Sequence, residues 1–444
     1  ATEATAAAEP KVLTYQYHVE PISLDTSKTN DNMSAEILYH LSESLLRFYD
    51  GAVIPGIAET YDVSDDGLTY TFHLGDAVWQ DDEPVTAEQF RYSFLRLLDP
   101  ATAATFPNAL FPVLNAEAFN KGEKEASEVG IKVVDDKTLE LTLWRPAASF
   151  PTVLATNAYF YPLRQDFVEQ HGDSYAADAD AFLSNGPFIL QEWQHEASLR
   201  LVKNPKYWDA DSINLDEIVQ LIVPDANTIV AMFDRGELDY VPNLNADFLS
   251  QYPDAKLAPG SGGLQFLQFN VSGMTPESGK VLSNLNFRKA LSYALDRESI
   301  NAAIAGSSGT ITGRFVQAIV PGVEKSFLKE HPIDSAELVP PAGDPEQAQA
   351  YLEAALEELG MTVDEMPSMT YVAMESPVHK LYAEAFVDAW NQVLGLDNFT
   401  ITILPVPQAL QAGMTKQFDI FLLGMGADPD PFIFLNYWTT GNEL

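Results

Sequence analysis

Two carboxylates near the end of the chain have the residue type and spacing that hydrolytic chemistry needs. Asp428 and Asp430 follow an apolar run, residues 420–423, and two glycines, Gly424 and Gly426. Paired acids can serve as the general acid and the base or nucleophile of a hydrolase. A proline separates these two acids, and no second acidic cluster follows that would orient them. Catalysis by this pair is therefore the weaker of two hypotheses.

The glycines of this stretch favour binding instead. A continuous apolar run is typical of a strand that is buried on both faces. Glycine weakens a strand, so its presence at a strand end indicates that something approaches the backbone closely. We predict that an extended ligand lies along Gly424, Met425 and Gly426, which would offer it N–H and C=O groups, and that Asp428 neutralises its amino group. From this stretch alone, a core strand that ends in a solvated turn is the favoured interpretation, and the preference for binding depends on the rest of the chain.

The rest of the chain offers little catalytic chemistry. It contains no nucleophile elbow, phosphate-binding loop, dinucleotide fingerprint or zinc-protease motif, and it has no cysteine. His73 lies on the polar side of an alternating strand, and the acidic turn at residues 62–66 lacks the spacing of a calcium loop. Tyr207 and Trp208 are expected in a core. We therefore expect no catalytic residue, no metal site and no cofactor.

Length and charge narrow the class of protein. At 444 residues the chain is too long for one hydrophobic core, so two or three domains are expected. Its formal charge of −39, from 64 acidic and 25 basic residues, argues against binding to nucleic acids and to anionic lipids. The same charge would steer a cationic or amine-bearing ligand towards the protein. No apolar run reaches the length of a membrane span.

The N-terminus indicates export. Residues 1–10 read as a flexible tail, and the chain starts at Ala1 without a methionine. Removal of a signal peptide before this point would explain both features. The absence of cysteine fits an exported protein, although this signal is weak.

Turn and cap signals predict short strands and helices in the first half. Hairpin turns are expected at residues 65–67 and 135–136, beside strands with alternating apolar residues. A helix is expected over residues 33–48, with Asp31 or Asn32 as its N-cap.

The second half has longer helices. Residues 259–263 are the most flexible internal segment and the best candidate for a crossover between lobes. Caps and glycines predict helices within residues 344–360 and 376–395. Residues 400–404 and 418–426 are predicted strands. Helices that alternate with strands in this way predict an α/β protein with a mainly buried sheet.

Several stretches together resemble one family, the extracellular solute-binding proteins of peptide and nickel ABC importers, of the oligopeptide- and dipeptide-binding type. In chain order, the resembling stretches are residues 23–25, 44–46, 55–74, 79–100, 185–193, 203–209, 235–239, 287–300 and 418–435. Each stretch alone is weak, but in series they span nearly the whole chain.

The resemblance implies a fold of two α/β lobes that close on a ligand about a hinge, the periplasmic-binding-protein-like fold of type II, cluster C. A small extra domain decorates the first lobe in this family. The implied divisions are a flexible tail at residues 1–10, a discontinuous first lobe at 11–47 and 176–262, the small domain at 48–175, and the second lobe at 263–444.

The resemblance also implies a ligand site in the second lobe. Relatives hold a peptide as an added strand, so that main-chain hydrogen bonds give affinity and pockets tolerate varied side chains. Asp428 matches the acid that pairs with the ligand's α-amino group. Gly424, Met425, Gly426 and Ala427 match the strand that receives its backbone.

Further contacts are implied from the first lobe. Asn30, Asp31 and Asn32 match a loop that contacts the ligand from the opposite side, and Phe106 falls near an aromatic residue at the rim of the pocket.

The sequence departs from the family in three places. Relatives that take tripeptides place arginines on and just before the strand preceding Asp428, whereas the matching positions here are Gly413 and Leu422, so no bidentate carboxylate clamp is expected from them. Asp82 stands where the family has a turn glycine. The chain stops 16 residues after Asp428, so the C-terminal part of the second lobe is expected to be missing.

These observations predict an extracytoplasmic, monomeric receptor that captures a peptide, expected to be an oligopeptide, and delivers it to a membrane ABC permease without catalysis. A lipid anchor on a removed N-terminal segment is expected. The alternatives are a relative that binds a nickel chelate, a sugar or another amine, a hydrolase that uses Asp428 and Asp430, and a signalling or adhesion receptor on the same scaffold.

Overall fold

The computed structural model describes residues 10–29, 31–49, 52–242, 251–252, 254, 263–305, 309–316, 327–332 and 338–426. The chain divides into two units, Ala1–Asn245 and Ala246–Leu444. Each unit combines helices with strands, which confirms the predicted α/β class. The predicted division into a first lobe, a small added domain and a second lobe stays a prediction.

The first unit contains most of the strands in the described part of the chain. Its strands are β1 (Val12–Tyr17), β2 (Leu46–Tyr49), β3 (Ala52–Pro55), β4 (Ala58–Val63), β5 (Thr69–Leu74), β6 (Ile131–Asp135), β7 (Thr138–Thr142), β8 (Phe188–Gln194), β9 (Ser198–Lys203) and β10 (Glu217–Ile222). Its helices are α1 (Asn32–Leu41), α2 (Ala87–Leu98), α3 (Ala116–Asn120), α4 (Phe150–Thr156), α5 (Gln165–His171) and α6 (Ala226–Asp234).

Two four-stranded sheets organise the first unit. One has the order β1-β10-β9-β8, with β1 parallel to β10 and the other pairs antiparallel. The other has the order β4-β5-β7-β6 and is antiparallel throughout. Each sheet has its own hydrophobic core, the first around Tyr15 and Leu199 and the second around Phe72 and Phe90.

The alternation of apolar and polar residues predicts β5 correctly. Tyr70, Phe72 and Leu74 are buried, while the residues between them are partly exposed. Gly67 closes the preceding turn with φ of +71°, a left-handed conformation that glycine adopts without a Cβ penalty. The hairpin predicted at residues 65–67 is therefore confirmed.

The helix predicted over residues 33–48 is wrong at its C-terminal end. The helix α1 stops at Leu41, because Ser42 is extended and Gly186 N donates a hydrogen bond to Leu41 O at 3.0 Å. A Cβ on Gly186 would lie 2.6 Å from Ser42 N, so this close approach requires glycine. Leu45 is buried, but in the second core and not on the face of α1. A segment distant in sequence therefore overrides the local helical pattern.

The second unit has one sheet and longer helices. Its strands are β11 (Leu264–Phe269), β12 (Met369–Met374), β13 (Phe399–Leu404) and β14 (Ile420–Met425), and its helices are α7 (Pro276–Ser283), α8 (Leu285–Tyr293), α9 (Arg297–Ala305), α10 (Phe327–Glu330), α11 (Pro345–Leu359), α12 (Pro377–Leu394) and α13 (Val406–Met414). The sheet order is β11-β14-β12-β13, with β14 antiparallel to β11 and parallel to β12.

Local signals predict the two longest helices well. Asp344 caps α11 by accepting a hydrogen bond from Gln347 N at 3.0 Å, and Gly360 ends the helix in a left-handed conformation. The helix α12 ends in the same way at Gly395 and buries Trp390 in the main core of this unit. The crossover predicted at residues 259–263 lies outside the described residues, apart from its last residue.

A buried acid joins two segments of the first unit. Glu43 is 4% exposed, and the Tyr207 hydroxyl donates a hydrogen bond to its carboxylate. The Arg47 guanidinium lies 3.6 Å from the same carboxylate and 3.3 Å from Asp209. Burial raises the pKa of Glu43 to about 7, although the Tyr207 hydrogen bond and the Arg47 charge both lower it. The segments that follow α1 and β9 are therefore held together around a carboxyl group.

The prediction of a core position is confirmed for Tyr207 and wrong for Trp208. Tyr207 is 4% exposed, whereas Trp208 is 42% exposed. The guanidinium of Arg47 stacks on the Trp208 ring at 4.9 Å from its centroid. Trp208 therefore supports the buried network from outside through a cation–π contact.

The substitution Glu43→Gln should change how stability depends on pH. The Glu43 carboxyl titrates near 4.5 in the unfolded chain and near 7 in the folded one, so the folded state holds the proton more tightly between these values. The contribution of this carboxyl group to the free energy of unfolding therefore falls by about 3 kcal/mol as the pH rises from 4.5 to 7. Urea unfolding at several pH values should show that the difference in stability between variant and wild type grows over this range in favour of the variant.

The control is Glu88→Gln, which removes an exposed acid paired with Arg91 on the same unit. Its stability relative to wild type should stay flat over the same pH range, because an exposed pair is solvated in both states. A flat difference for Glu43→Gln as well would contradict the burial of a proton-binding carboxyl.

Candidate functional site

The strand β14 is paired on both sides at its start and on one side at its end. Its pairing with β11 runs through the whole strand, from Ile420 to Met425. Its pairing with β12 covers only Ile420 and Phe421. Within the residues that the structure describes, the later half of β14 therefore has no strand on the β12 side.

The hydrogen-bond pattern gives the direction of the Gly424 main chain. Asn270 N donates to Asp419 O at 2.9 Å, so the carbonyl of Asp419 faces β11, whereas Asp419 N donates to Thr370 O at 3.1 Å. Beyond this carbonyl, the residue pairs of antiparallel strands alternate between non-bonded and hydrogen-bonded positions. Along the register, Gly424 and Gln265 are then a non-bonded pair. We infer that the N–H and C=O of Gly424 point away from β11, towards the open side.

Packing among the described residues does not explain these glycines. A Cβ on Gly424 would meet only Gln265 Cγ, at 3.8 Å, and a Cβ on Gly426 would meet nothing within 4 Å. By contrast, a Cβ on Gly279 would lie 2.2 Å from Ser272 O, so that glycine is required by packing. The described neighbours would accept a side chain at Gly424. The explanation that the sequence suggests for glycine at this position is the close approach of a group from outside the sheet.

A buried carboxylate fixes the start of β14. Asp419 is 2% exposed. Its Oδ1 accepts hydrogen bonds from Met274 N at 2.8 Å and from Ser278 Oγ at 2.7 Å, and its Oδ2 accepts one from Thr370 N at 2.8 Å. It therefore joins β14 to the N-terminal turn of α7 and to β12. Sequence reasoning missed this role, although a lone acid inside an apolar run signals a buried, hydrogen-bonded group.

Part of the predicted site lies outside the described residues. These positions are Ala427, Asp428 and Asp430 at the end of the chain and Asn30 in the first unit. The roles assigned to them stay predictions, including the pairing of Asp428 with an amino group.

Asp31 has a structural role in addition to its predicted one. It is the N-cap of α1, as the sequence predicts, and its carboxylate accepts hydrogen bonds from Ser34 N at 2.8 Å and from Ser34 Oγ at 2.5 Å. The backbone of Asn32 begins α1. The carboxylate of Asp31 is therefore committed to its own helix, and its contact with a ligand stays a prediction.

The fold brings Phe106 close to the turn that precedes Asp31. Thr105 N donates to Ser27 O at 3.1 Å, and Thr105 Oγ1 donates to Lys28 O at 3.0 Å. Phe106 follows directly, is half-buried, and packs on Tyr159 with 5.1 Å between ring centroids. Hydrogen bonds therefore join the residue before Phe106 to the turn that precedes the predicted ligand loop.

The departures from the family have structural explanations. A Cβ on Gly413, in α13, would lie 3.0 Å from the Phe421 ring, and Leu422 is 6% exposed in the core, so both positions are committed to packing. Asp82 has φ of +75°, the conformation that favours glycine, and its carboxylate pairs with Lys206 at 2.6 Å. This ion pair links the strained turn to the segment after β9.

Three features of the described residues bear on other kinds of site. His73 is partly exposed and pairs with the exposed Asp62 at 3.0 Å, so its predicted surface position is confirmed. In the part of the chain that the structure describes, no cluster of three or more His, Cys, Asp or Glu side chains could hold a metal ion. No described helix has both the length and the apolar character that crossing a membrane requires.

Comparison with known proteins identifies close relatives. Residues 52–443 match the family described as "Bacterial extracellular solute-binding proteins, family 5 Middle". The dipeptide-binding protein DppE of Bacillus subtilis is 32% identical over 439 residues, which cover 98% of this chain and 78% of that protein. This match extends over both units.

Two solved structures are similar over nearly the whole chain. The substrate-binding domain of an oligopeptide ABC transporter from Bacillus anthracis has a TM-score of 0.78 and 30% identity, and covers 98% of this chain and 83% of its own. The OppA of Listeria monocytogenes, solved bound to peptide, has a TM-score of 0.79 and 29% identity, and covers 98% of this chain and 85% of its own. The predicted family resemblance and the predicted solute-binding-protein fold are confirmed.

The substitution Asp419→Ala should destabilise the protein by about 3 kcal/mol, because it leaves Met274 N, Ser278 Oγ and Thr370 N without their acceptor. Urea unfolding followed by the fluorescence of Trp390, in the core of the same unit, should show the loss. The control is Asp388→Ala, since Asp388 is exposed on α12 and bonded only to Gln392 among the described contacts. A control variant as unstable as Asp419→Ala would show that the buried contacts are not the cause.

Proposed function

Because this chain belongs to the bacterial extracellular solute-binding proteins of family 5, we propose that it is a receptor that captures peptides outside the cytoplasm and delivers them to the permease of an ABC importer. Members of this family are solute-binding proteins, and we propose that this chain catalyses no reaction on its ligand. We also propose that a lipid anchor holds the receptor at the cell surface. Labelling of the cells with a radioactive fatty acid would test for this anchor.

The observation that supports this proposal most directly is the open side of β14 at Gly424. An extended peptide can add to a sheet wherever main-chain N–H and C=O groups have no strand partner. The groups of Gly424 point to the side where β12 pairing has ended, and no described side chain fills the space above the glycine. Main-chain bonds of this kind are the same for every peptide sequence, which suits a receptor for mixed peptides.

The relatives support a peptide as the ligand. One is named a dipeptide-binding protein, another is the substrate-binding domain of an oligopeptide transporter, and a third was solved bound to peptide. The proposed site consists of Gly424, Met425, Gly426 and Ala427 for the ligand backbone and Asp428 for its amino group. Leaving one partner of a buried ion pair unmatched costs roughly 3–5 kcal/mol, so Asp428 would select ligands with a free amino terminus.

Mass spectrometry of small molecules that co-purify with the protein should detect a population of peptides with mixed sequences. We expect these peptides because main-chain bonds hold each of them equally well. The lengths recovered would define the range of ligands. Recovery of no peptide, together with thermal stabilisation by a nickel chelate or a sugar, would replace the peptide with one of those ligands.

Two variants sharpen this experiment. Asp428→Asn should retain markedly less peptide, whereas Asp430→Asn should retain as much as wild type, since only Asp428 is assigned to the amino group. A hydrolase that uses both acids would instead yield cleavage products with wild-type protein, and either variant would abolish them.

The substitution Gly424→Val should weaken peptide binding at least tenfold while leaving stability within about 1 kcal/mol of wild type. Valine suits a strand, and among the described residues its Cβ would meet only Gln265 Cγ, at 3.8 Å, so we expect the described part of the fold to accept it. The added methyl groups would keep a peptide from approaching the backbone closely. Isothermal titration with penta-alanine measures the first effect, and urea unfolding measures the second.

The matched control is Thr400→Val, because Thr400 is exposed on β13 at the far edge of the same sheet. It adds the same side chain to a strand without changing the open side of β14. Equal binding by Gly424→Val and wild type would remove this edge from the proposed site.

A further inference from the structure

The pair Asn185–Gly186 is the one asparagine–glycine pair in this sequence. Asparagine before glycine is prone to spontaneous deamidation, because glycine has no Cβ to hinder attack by its main-chain nitrogen. In this reaction the Gly186 nitrogen gives its proton to hydroxide and bonds to Cγ of Asn185, and the side-chain nitrogen leaves as ammonia after taking a proton from water. Water then opens the cyclic imide and leaves aspartate or isoaspartate at position 185.

In the folded first unit, the side chain of Asn185 is bonded to another segment. Asn185 is 1% exposed. Glu43 N donates a hydrogen bond to its Oδ1 at 3.1 Å, and its Nδ2 donates one to Glu43 O at 3.2 Å. Attack on Cγ requires the amide to turn towards its own main chain, which would break both bonds. The carbon that must be attacked is therefore held in an arrangement that the reaction has to disrupt.

The attacking nitrogen is held as well. Gly186 N donates to Leu41 O, at the end of α1, at 3.0 Å. On its other side, Asn204 Nδ2 donates to Gly186 O at 2.9 Å, and Asn204 is fully buried. Gly186 is itself buried, so hydroxide does not reach its N–H while these contacts last. We call Asn185, Gly186 and their partners Leu41, Glu43 and Asn204 the α1 junction.

We propose that Asn185 is a site of spontaneous deamidation that reacts only in molecules whose α1 junction has opened. Segments of folded proteins open locally, with free energies below that of global unfolding. The rate of modification is then the rate in the unfolded chain multiplied by the fraction of open molecules. The hydrogen bonds of the junction therefore set how long a folded molecule stays unmodified. The inference concerns the first unit alone and does not depend on a ligand.

Modification also prevents the junction from closing again. Aspartate at position 185 has no Nδ2, so Glu43 O loses its donor and faces a carboxylate oxygen instead. A buried acceptor without a donor is costly. Isoaspartate in addition inserts one main-chain atom before Gly186, which shifts the N–H that bonds to Leu41 O. The variant Asn185→Asp reproduces the aspartate product, so urea should unfold it at a lower concentration than wild type. An equal midpoint would show that the modification leaves the junction intact and would contradict this step.

Peptide mass spectrometry measures the modification directly. Wild-type protein is incubated at mildly alkaline pH in water enriched in heavy oxygen, both folded and in concentrated urea. Heavy oxygen enters the new carboxylate only when deamidation occurs during the incubation, so reaction during later digestion is excluded. We expect Asn185 to be modified in the urea sample and roughly a hundredfold more slowly in the folded sample. Equal rates, or no modification in urea, would overturn the proposal.

Asn204→Ala tests whether the junction itself protects Asn185. It removes the hydrogen bond to Gly186 O and leaves both reacting residues in place. The folded variant should be modified roughly tenfold faster than wild type. The matched control is Ser93→Ala, which removes the buried bond from Ser93 Oγ to Tyr161 O at 2.6 Å in the same unit and is not part of the junction. It should be modified at the wild-type rate, and equal acceleration by both variants would overturn the role of the junction.

A urea series below the unfolding transition needs no variant, and it decides the matter if Asn204→Ala does not fold. Local opening exposes little surface, so the modification rate of wild type should rise only weakly with urea concentration. A rise as steep as that of global unfolding would show that Asn185 reacts only in fully unfolded molecules, which overturns the proposal.

Discussion

The buried carboxylate of Asp419 is the contact on which the second unit depends. It receives three hydrogen bonds from segments that are distant in sequence, and so it fixes where β14 begins relative to β12 and α7. The open groups of Gly424 lie five residues further along the same strand. Because a strand extends rigidly once its start and one edge are fixed, the position of these groups is set by contacts that no ligand needs to make. If a peptide binds at this edge, as proposed, the edge is already ordered before the peptide arrives.

In the first unit, a buried carboxylate also orders the segments that donate hydrogen bonds to it, and here one donor is a guanidinium group. Asp25 orders its turn by accepting hydrogen bonds from backbone N–H groups, and the guanidinium of Arg96 fixes the carboxylate. Most of the 64 acidic residues in this chain keep it soluble and set its charge. The few that are buried act differently, because a carboxylate removed from water must find donors and therefore orders whatever supplies them. Asp25, Glu43 and Asp419 are all of this kind.

Sequence predicts what neighbouring residues decide. The N-cap at Asp344, the left-handed glycines at the ends of α11 and α12, and the alternation along β5 all follow from contacts within a few residues, and all are confirmed. The end of α1 at Leu41 could not be predicted, because Gly186 decides it from far along the chain. The same reason explains the candidate site. Glycines signal an open strand end locally, whereas the partners of Asp419 are supplied by the tertiary fold.

Two packed positions, Gly413 on α13 and Leu422 on β14, bear on the selectivity that the proposed site would have. Gly413 and Leu422, which the family resemblance matches to arginines of relatives that take tripeptides, face the Phe421 ring and the core, so neither can present a cation to a ligand carboxylate. Without that clamp, these positions do not fix the distance between the amino and carboxyl ends of a bound peptide, and so they do not select its length. In the proposed site, main-chain hydrogen bonds at Gly424 do not depend on the side chains of the peptide. The remaining charged contact is Asp428, at the amino end of the peptide. A site of this composition recognises the amino terminus and the extended conformation of a peptide. It would therefore bind peptides of several lengths.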